Sequence, residues 1–106
     1  MAGRGVELDL FQGALTVGVR HLPKGEYFAA YRSFLRAAAL AEGEADRELA
    51  RGLVHLAAAG HKLRLGDVRG YERQLARARR RLTPFLPEAR RLDLAGLLGL
   101  VVRDAR

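Results

Sequence analysis

The chain reads as an all-α protein: a compact bundle of four to five helices forming a single helical domain over residues 1–106. Three observations lead to that reading. Apolar residues make up 49% of the chain, and Ala and Leu dominate them, which suits packed helices better than strands. Apolar positions recur at steps of three and four along most of the length, the spacing of one face of an α-helix. Residues that end or cap helices, Pro23-Lys24-Gly25, Gly66-Asp67 and Thr83-Pro84, punctuate those stretches. At 106 residues such a domain can bury a core without staples, and there is no Cys to form any.

Met1 to Glu7 contains two Gly and no periodicity, the pattern of a flexible terminus. Leu8, Phe11, Leu15, Val19 and Leu22 then repeat at helical spacing and predict a first helix. The β-branched, Gly-interrupted run Ala14–Val19 leaves a short strand or irregular turn as the competing local structure. A second helix is expected from about Glu26 to Leu40, with Tyr27, Phe28, Tyr31, Phe34, Leu35 and Ala38 on one broad stripe. The acidic link Glu42–Asp46 follows, and its carboxylates suit the positive end of the next helix dipole.

The stretch Arg51–Gly70 holds the densest pattern and is expected to be the central helix. Leu49, Leu53, Leu56, Gly60 and Leu63 fill one sector of its wheel, and Val54, Ala58, His61 and Leu65 a second. The strip with Arg51, His55 and Lys62 is polar. Apolar residues on two faces predict neighbours on both sides. The run Ala57–Gly60 predicts a close helix approach, since a mid-helix Gly otherwise costs about 1 kcal/mol against Ala. Gly66 should end this helix in a left-handed conformation, and Asp67 should cap the next. Val68, Tyr71, Leu75, Ala78 and Leu82 form the core stripe of that fourth helix. Thr83-Pro84 breaks it, Pro87 keeps the connection irregular, and a last helix begins near Asp93 with Leu94, Leu97, Leu98 and Val101 on one face.

Two stretches resemble a known family. Gly25-Glu26-Tyr27-Phe28-Ala29-Ala30-Tyr31 is similar to the pattern G-x-Y-F-E-A-H-E. Gly52-Leu53-Val54-His55-Leu56-Ala57-Ala58-Ala59, His61, Arg64-Leu65-Gly66-Asp67 and Gly70 resemble Q-G-L-I-Q-L-A-A-A, a His, and R-x-G-N-x-x-G. Together, over residues 25–82, they resemble the prokaryotic domain-of-unknown-function family 309, a small all-helical fold. The resemblance implies a fold and no activity. The family pattern carries a His-Glu pair, preceded by another Glu and followed by a Trp, near the His of the third helix. Here those positions read Ala29, Tyr31, Arg32 and Ala38, so that of the set only His61 remains. One imidazole beside an Arg cannot supply the ligands of a divalent metal, and no metal or cofactor is expected.

What remains is a candidate polar pocket of Tyr27, Tyr31, Arg32 and His61, able to hold an anionic ligand. The competing reading makes His61 a hydrogen-bonded core residue partnered by the Tyr31 hydroxyl. His55 and His61 stand about 120° apart on a helix and are not expected to share a ligand. A second candidate is the stripe Arg69, Arg73, Arg77 and Arg80, flanked by Arg79 and Arg81 and followed by Arg90 and Arg91. The chain carries a net charge of +7, and Arg and Ala enrichment also follows from a GC-rich genome. Such a stripe either faces solvent, meets an acidic protein, or binds nucleic acid.

No catalytic residue is assigned, because the chain has no nucleophilic elbow, phosphate-binding Gly loop, Cys nucleophile or paired buried carboxylates. The functional expectation is a cytoplasmic, non-catalytic binding or protein-interaction module. Polyanion or nucleic-acid binding through the Arg stripe is the first alternative, and a hydrolase-like enzyme with a degenerate metal site the second. Homodimerisation through the Leu-rich last helix competes with a simple core-closing role for it. No membrane segment or leader peptide is expected, since no run of eighteen apolar residues occurs.

Overall fold

A computed structural model describes residues 9–106, and the predicted flexible stretch Met1–Glu7 lies outside them. Five α-helices are present among the described residues: α1 Leu10–His21, α2 Tyr27–Leu40, α3 Glu44–Arg64, α4 Val68–Leu82 and α5 Leu94–Asp104. Successive helices pack side by side from α1 to α4, so that α3 lies between α2 and α4 and also touches α5. The fold is the expected all-α bundle, and none of these helices is long and apolar enough to cross a membrane.

The helix ends follow from local chemistry. Asp9, Asp67 and Asp93 cap α1, α4 and α5, each carboxylate accepting the backbone N–H three residues on. Gly66 takes φ +78°, the left-handed conformation that closes α3. The run at Ala14–Val19 is helical, because Leu15 and Gly18 pack into the core there and tertiary burial outweighs a weak β preference. Glu44 and Asp46 sit in the first turn of α3, as the dipole argument requires.

The core is a cluster of Leu, Ala, Phe and Tyr side chains, with Val101, to which all five helices contribute. Small residues set its helix spacing. Gly60 on α3 lies directly under the Tyr27 ring of α2, and a Cβ there would overlap three ring carbons. Gly52 receives Leu82 of α4 in the same way, and Gly18 of α1 receives Phe34 of α2. The close approach expected at Ala57–Gly60 is thus real, and the aromatic ring of Tyr27 is what fills it.

Three stripes differ from the sequence reading. On α2 the buried residues are Tyr27, Ala30, Phe34 and Ala37, while Phe28 and Leu35 are exposed. Neighbouring positions are 100° apart, and the alanines rather than the larger side chains face the adjoining helices because they permit the closer approach. On α3 the buried arc is centred on Leu49, Leu53, Leu56 and Gly60, with α2 and α4 on its flanks. The second sector is only partly covered: Val54 packs against the core's edge, Ala58 and His61 are half-buried and Leu65 is exposed. Val68 is exposed as well, so the α4 stripe effectively begins at Tyr71.

Between α4 and α5 the chain makes a single 3-10 turn, Thr83–Phe85, and a two-residue hairpin pairing Glu88–Ala89 with Leu92–Asp93. Its turn residues Arg90 and Arg91 have φ of 52° and 63°. Arg90 is therefore no part of the basic stripe. It donates to Asp46 at the start of α3 at 2.6 and 3.2 Å, to Asp9 at the start of α1 at 3.2 Å, and lies 4.8 Å over the Phe11 ring. Leu94, Leu97, Leu98 and Val101 of α5 are buried and Leu100 and Val102 half-buried, so this helix closes the core.

Candidate anion-binding face and groove

Helix α4 is built with two opposed faces. Tyr71, Leu75, Ala78 and Leu82 are buried, Arg69, Arg73, Arg77 and Arg80 are exposed on the other side, and Arg79 is exposed on the flank. From Arg69 to Arg80 the face runs about 16 Å at the helical rise of about 1.5 Å per residue. The only acidic residue within α4 is Glu72. None of the five arginines forms an ion pair with another described residue. Arg81, next in sequence, is different: it donates at 2.8 Å to both carboxylate oxygens of Glu48 on α3 and ties the two helices together.

Alongside this face runs an open groove whose floor is the half-buried sector of α3. One part, of about 340 Å³, has Val54, His55, Ala58, His61 and Lys62 as floor, Phe28 and Tyr31 of α2 on one side, and Gln74 of α4 on the other. A second part, of about 620 Å³, lies between the start of α3 and the end of α4, bordered by Glu44, Glu48, Arg77, Arg80, Arg81 and Phe85. His55 borders both, so the two parts adjoin at this residue. Its Nδ1–H donates to the Gln74 side-chain oxygen at 2.7 Å, which leaves Nε2 and the Gln74 amide N–H groups unused by that bond. The carboxylates along the basic part are already engaged, Glu44 with Arg47 and Glu48 with Arg81 and Arg51.

Of the predicted polar pocket, the groove brings together Tyr31 and His61 only. Tyr27 is 2% exposed, pressed on Gly60, with its hydroxyl donating to Asp104 of α5 at 2.7 Å. Arg32 is exposed on the outside of α2 and does not border the groove. The hydrogen bond expected between His61 and Tyr31 is absent among the described contacts; His61 instead lies against Phe28, ring centres 5.4 Å apart and tilted by 43°. Phe28 in turn stacks on Tyr31 at 6.0 Å and 20°. His55, Lys62, Gln74 and Phe28 were missed as groove residues. His55 and His61 do line one concavity, because a groove between flanking helices can span more than 100° of its floor helix. The signal for it was the row Val54, Ala58, His61, too polar at one point and too small at another for a packed face.

Two further polar groupings are structural. Burial, and then the hydrogen bond to the Asp104 carboxylate, push the Tyr27 hydroxyl up to about 12. Arg64, 5.4 Å over the Tyr27 ring and 3.5 Å from Asp104, completes this lock between α2, α3 and α5. At the other end of the molecule the Gln12 backbone N–H, and then Arg90, hold the Asp9 carboxyl below its ordinary range. Among the described residues no group of three or more His, Asp or Glu side chains could hold a metal ion. No protein-family model matches the chain, and no curated protein sequence or solved structure matches it.

Proposed function

We propose that this protein is a cytoplasmic, non-catalytic binding module that engages an acidic partner through the exposed face of α4. The observation that supports this reading is the row of Arg69, Arg73, Arg77 and Arg80, with Arg79 on its flank, all exposed and without a carboxylate partner among the described residues, beside a groove whose own carboxylates are already paired. Like charges one helical turn apart repel and lower the stability of the free helix by a few tenths of a kcal/mol per pair. Intramolecular packing gains nothing from that arrangement, whereas a polyanion would relieve the repulsion and release counterions. Arg79–Arg81 also complement the negative end of the α4 dipole, which accounts for the last turn but not for Arg69 and Arg73.

Hydrolysis at a degenerate metal site is the weaker reading. The part of the groove that holds both His55 and His61 has no carboxylate among its lining residues, and Lys62 beside them disfavours a divalent cation. Self-association through α5 is not part of the proposal either, since its apolar residues are largely covered within the chain. We likewise infer a distant relationship to domain-of-unknown-function family 309; supporting it, the two stretches that carry the resemblance meet in the fold, Tyr27 of the first lying on Gly60, which stands between Ala59 and His61 of the second.

Retention on immobilised heparin tests the proposal. The wild type should elute at clearly higher salt than a variant with Arg73, Arg77 and Arg80 changed to Gln, both having the same circular dichroism. Equal elution of the two would refute it.

A further inference from the structure

We infer that the groove over α3 takes a single strand of nucleic acid, with a base on the Phe28 ring and phosphates along the arginines of α4. The inference rests on the proposed role of the α4 face and names the partner. Phe28 is 52% exposed although it stands in a bundle with a well-filled core. It is the outermost member of a patch of three π systems, stacked on Tyr31 and tilted against His61. Leaving an aromatic ring in water forgoes the gain of burying it, and a base offers a flat π face that covers it regardless of base identity.

The placement of charge fits the same occupant. From the aromatic patch the groove leads past His55 to Arg77 and Arg80, so one chain of alternating bases and phosphates meets aromatic rings first and guanidinium groups next. Glu44 and Glu48 there are already paired with Arg47 and Arg81, which weakens their repulsion of a phosphate. The amide of Gln74 and the free nitrogen of His55 supply hydrogen-bonding groups for a base edge. A duplex keeps its bases paired and stacked and would meet only the Arg face. An acidic peptide would likewise use the arginines and leave the aromatic patch bare.

The chain contains no Trp, so Phe28→Trp installs a single fluorescent reporter at the proposed stacking position. Labelled dT12 and U12 oligonucleotides, a 12-base-pair duplex and polyglutamate are titrated by anisotropy against wild type, F28A, F28W and the triple Arg→Gln variant. The inference predicts binding of a single-stranded probe, a loss of about 5- to 150-fold in F28A, corresponding to one stacked base, and near-wild-type affinity with quenched Trp emission in F28W. Duplex binding should be unchanged in F28A. If F28A binds the single strands like wild type and F28W emission does not change, while the triple variant loses binding, the groove inference fails and the α4 reading stands. Tighter binding of polyglutamate than of either oligonucleotide, insensitive to F28A, also overturns it in favour of an acidic protein. Failure of every probe to bind would defeat both.

Discussion

Replacing Gly60 by Ala should destabilise the protein, although Ala is the better helix former by about 1 kcal/mol. The added methyl would fall on the Tyr27 ring, and the overlap involves three ring carbons rather than a flexible chain end. Tyr27 has little freedom to retreat: it is buried, bonded to Asp104 at 2.7 Å and covered by Arg64. Forcing a methylene into a filled core costs about 1–3 kcal/mol, and giving up the Tyr27–Asp104 bond would add about 1 kcal/mol. After the propensity gain is subtracted, the net loss is about 1–3 kcal/mol, a fall in Tm of roughly 5 °C or more for a domain of this size. Gly13 is the internal control. It lies in α1, and among the described residues nothing beyond its own helix backbone and chain neighbours comes within 4 Å of the point where a methyl would stand, so Gly13→Ala should stabilise by about 0.5–1 kcal/mol. Urea and thermal melts followed by circular dichroism measure both. A Gly60→Ala protein as stable as wild type, or gaining stability like Gly13→Ala, would refute the account of how α2 and α3 pack.

Arg90→Ala should cost about 1–2 kcal/mol, summing two carboxylate contacts and a cation–π contact on a partly screened side chain, and the cost should shrink at high salt. In that variant the Asp9 carboxyl, followed by NMR, should titrate closer to its ordinary value but stay below it, because the Gln12 N–H bond persists. Asp9 favours the folded state above the ordinary carboxyl pKa of 3.8, and that contribution is lost as pH falls through its lowered value. Arg91→Gly should stabilise by about 0.5–1 kcal/mol in the same melts, since Arg91 holds a left-handed backbone conformation that Gly adopts without strain. Tyr27 runs the opposite way to Asp9: its contribution is complete below pH 10 and disappears as pH rises toward about 12. A tyrosinate absorbance step near pH 12 should therefore accompany alkaline loss of stability, and both should be missing in Tyr27→Phe.

Much of the fold was legible because it depends on local signals. Asp67 and Asp93 sit one residue before their helices, Gly66 has the conformation its position demands, and Leu94, Leu97, Leu98 and Val101 face inward as their spacing requires. The rotation of α2 was not legible. Tyr27 and Phe28, and again Phe34 and Leu35, are adjacent apolar pairs, so periodicity defines a stripe about 100° wide and leaves its centre open. Tertiary packing chose the half with Ala30 and Ala37. The groove follows from that choice, since turning Phe34 inward leaves Phe28 out beside His61. Arg90 was illegible for a different reason: its partners Asp9 and Asp46 lie 81 and 44 residues away, and an Arg pair in a loop carries no local mark of being a tie between helix starts. The Arg face of α4 was visible from spacing alone, but its lack of ion-pair partners among the described residues emerged only with the positions of Glu44 and Glu48.

The salt dependence of binding tests the role of that face most directly. If Arg69, Arg73, Arg77 and Arg80 each meet one phosphate of a dT12 strand, log K should fall with log salt at a slope of about −2.8, an affinity loss of about 50-fold between 50 and 200 mM. In Arg77→Gln/Arg80→Gln the slope should halve to about −1.4 and the loss over the same range drop to about 7-fold. A slope that the double substitution leaves unchanged, or an affinity indifferent to salt in the wild type, would contradict the assignment of α4 as the binding face.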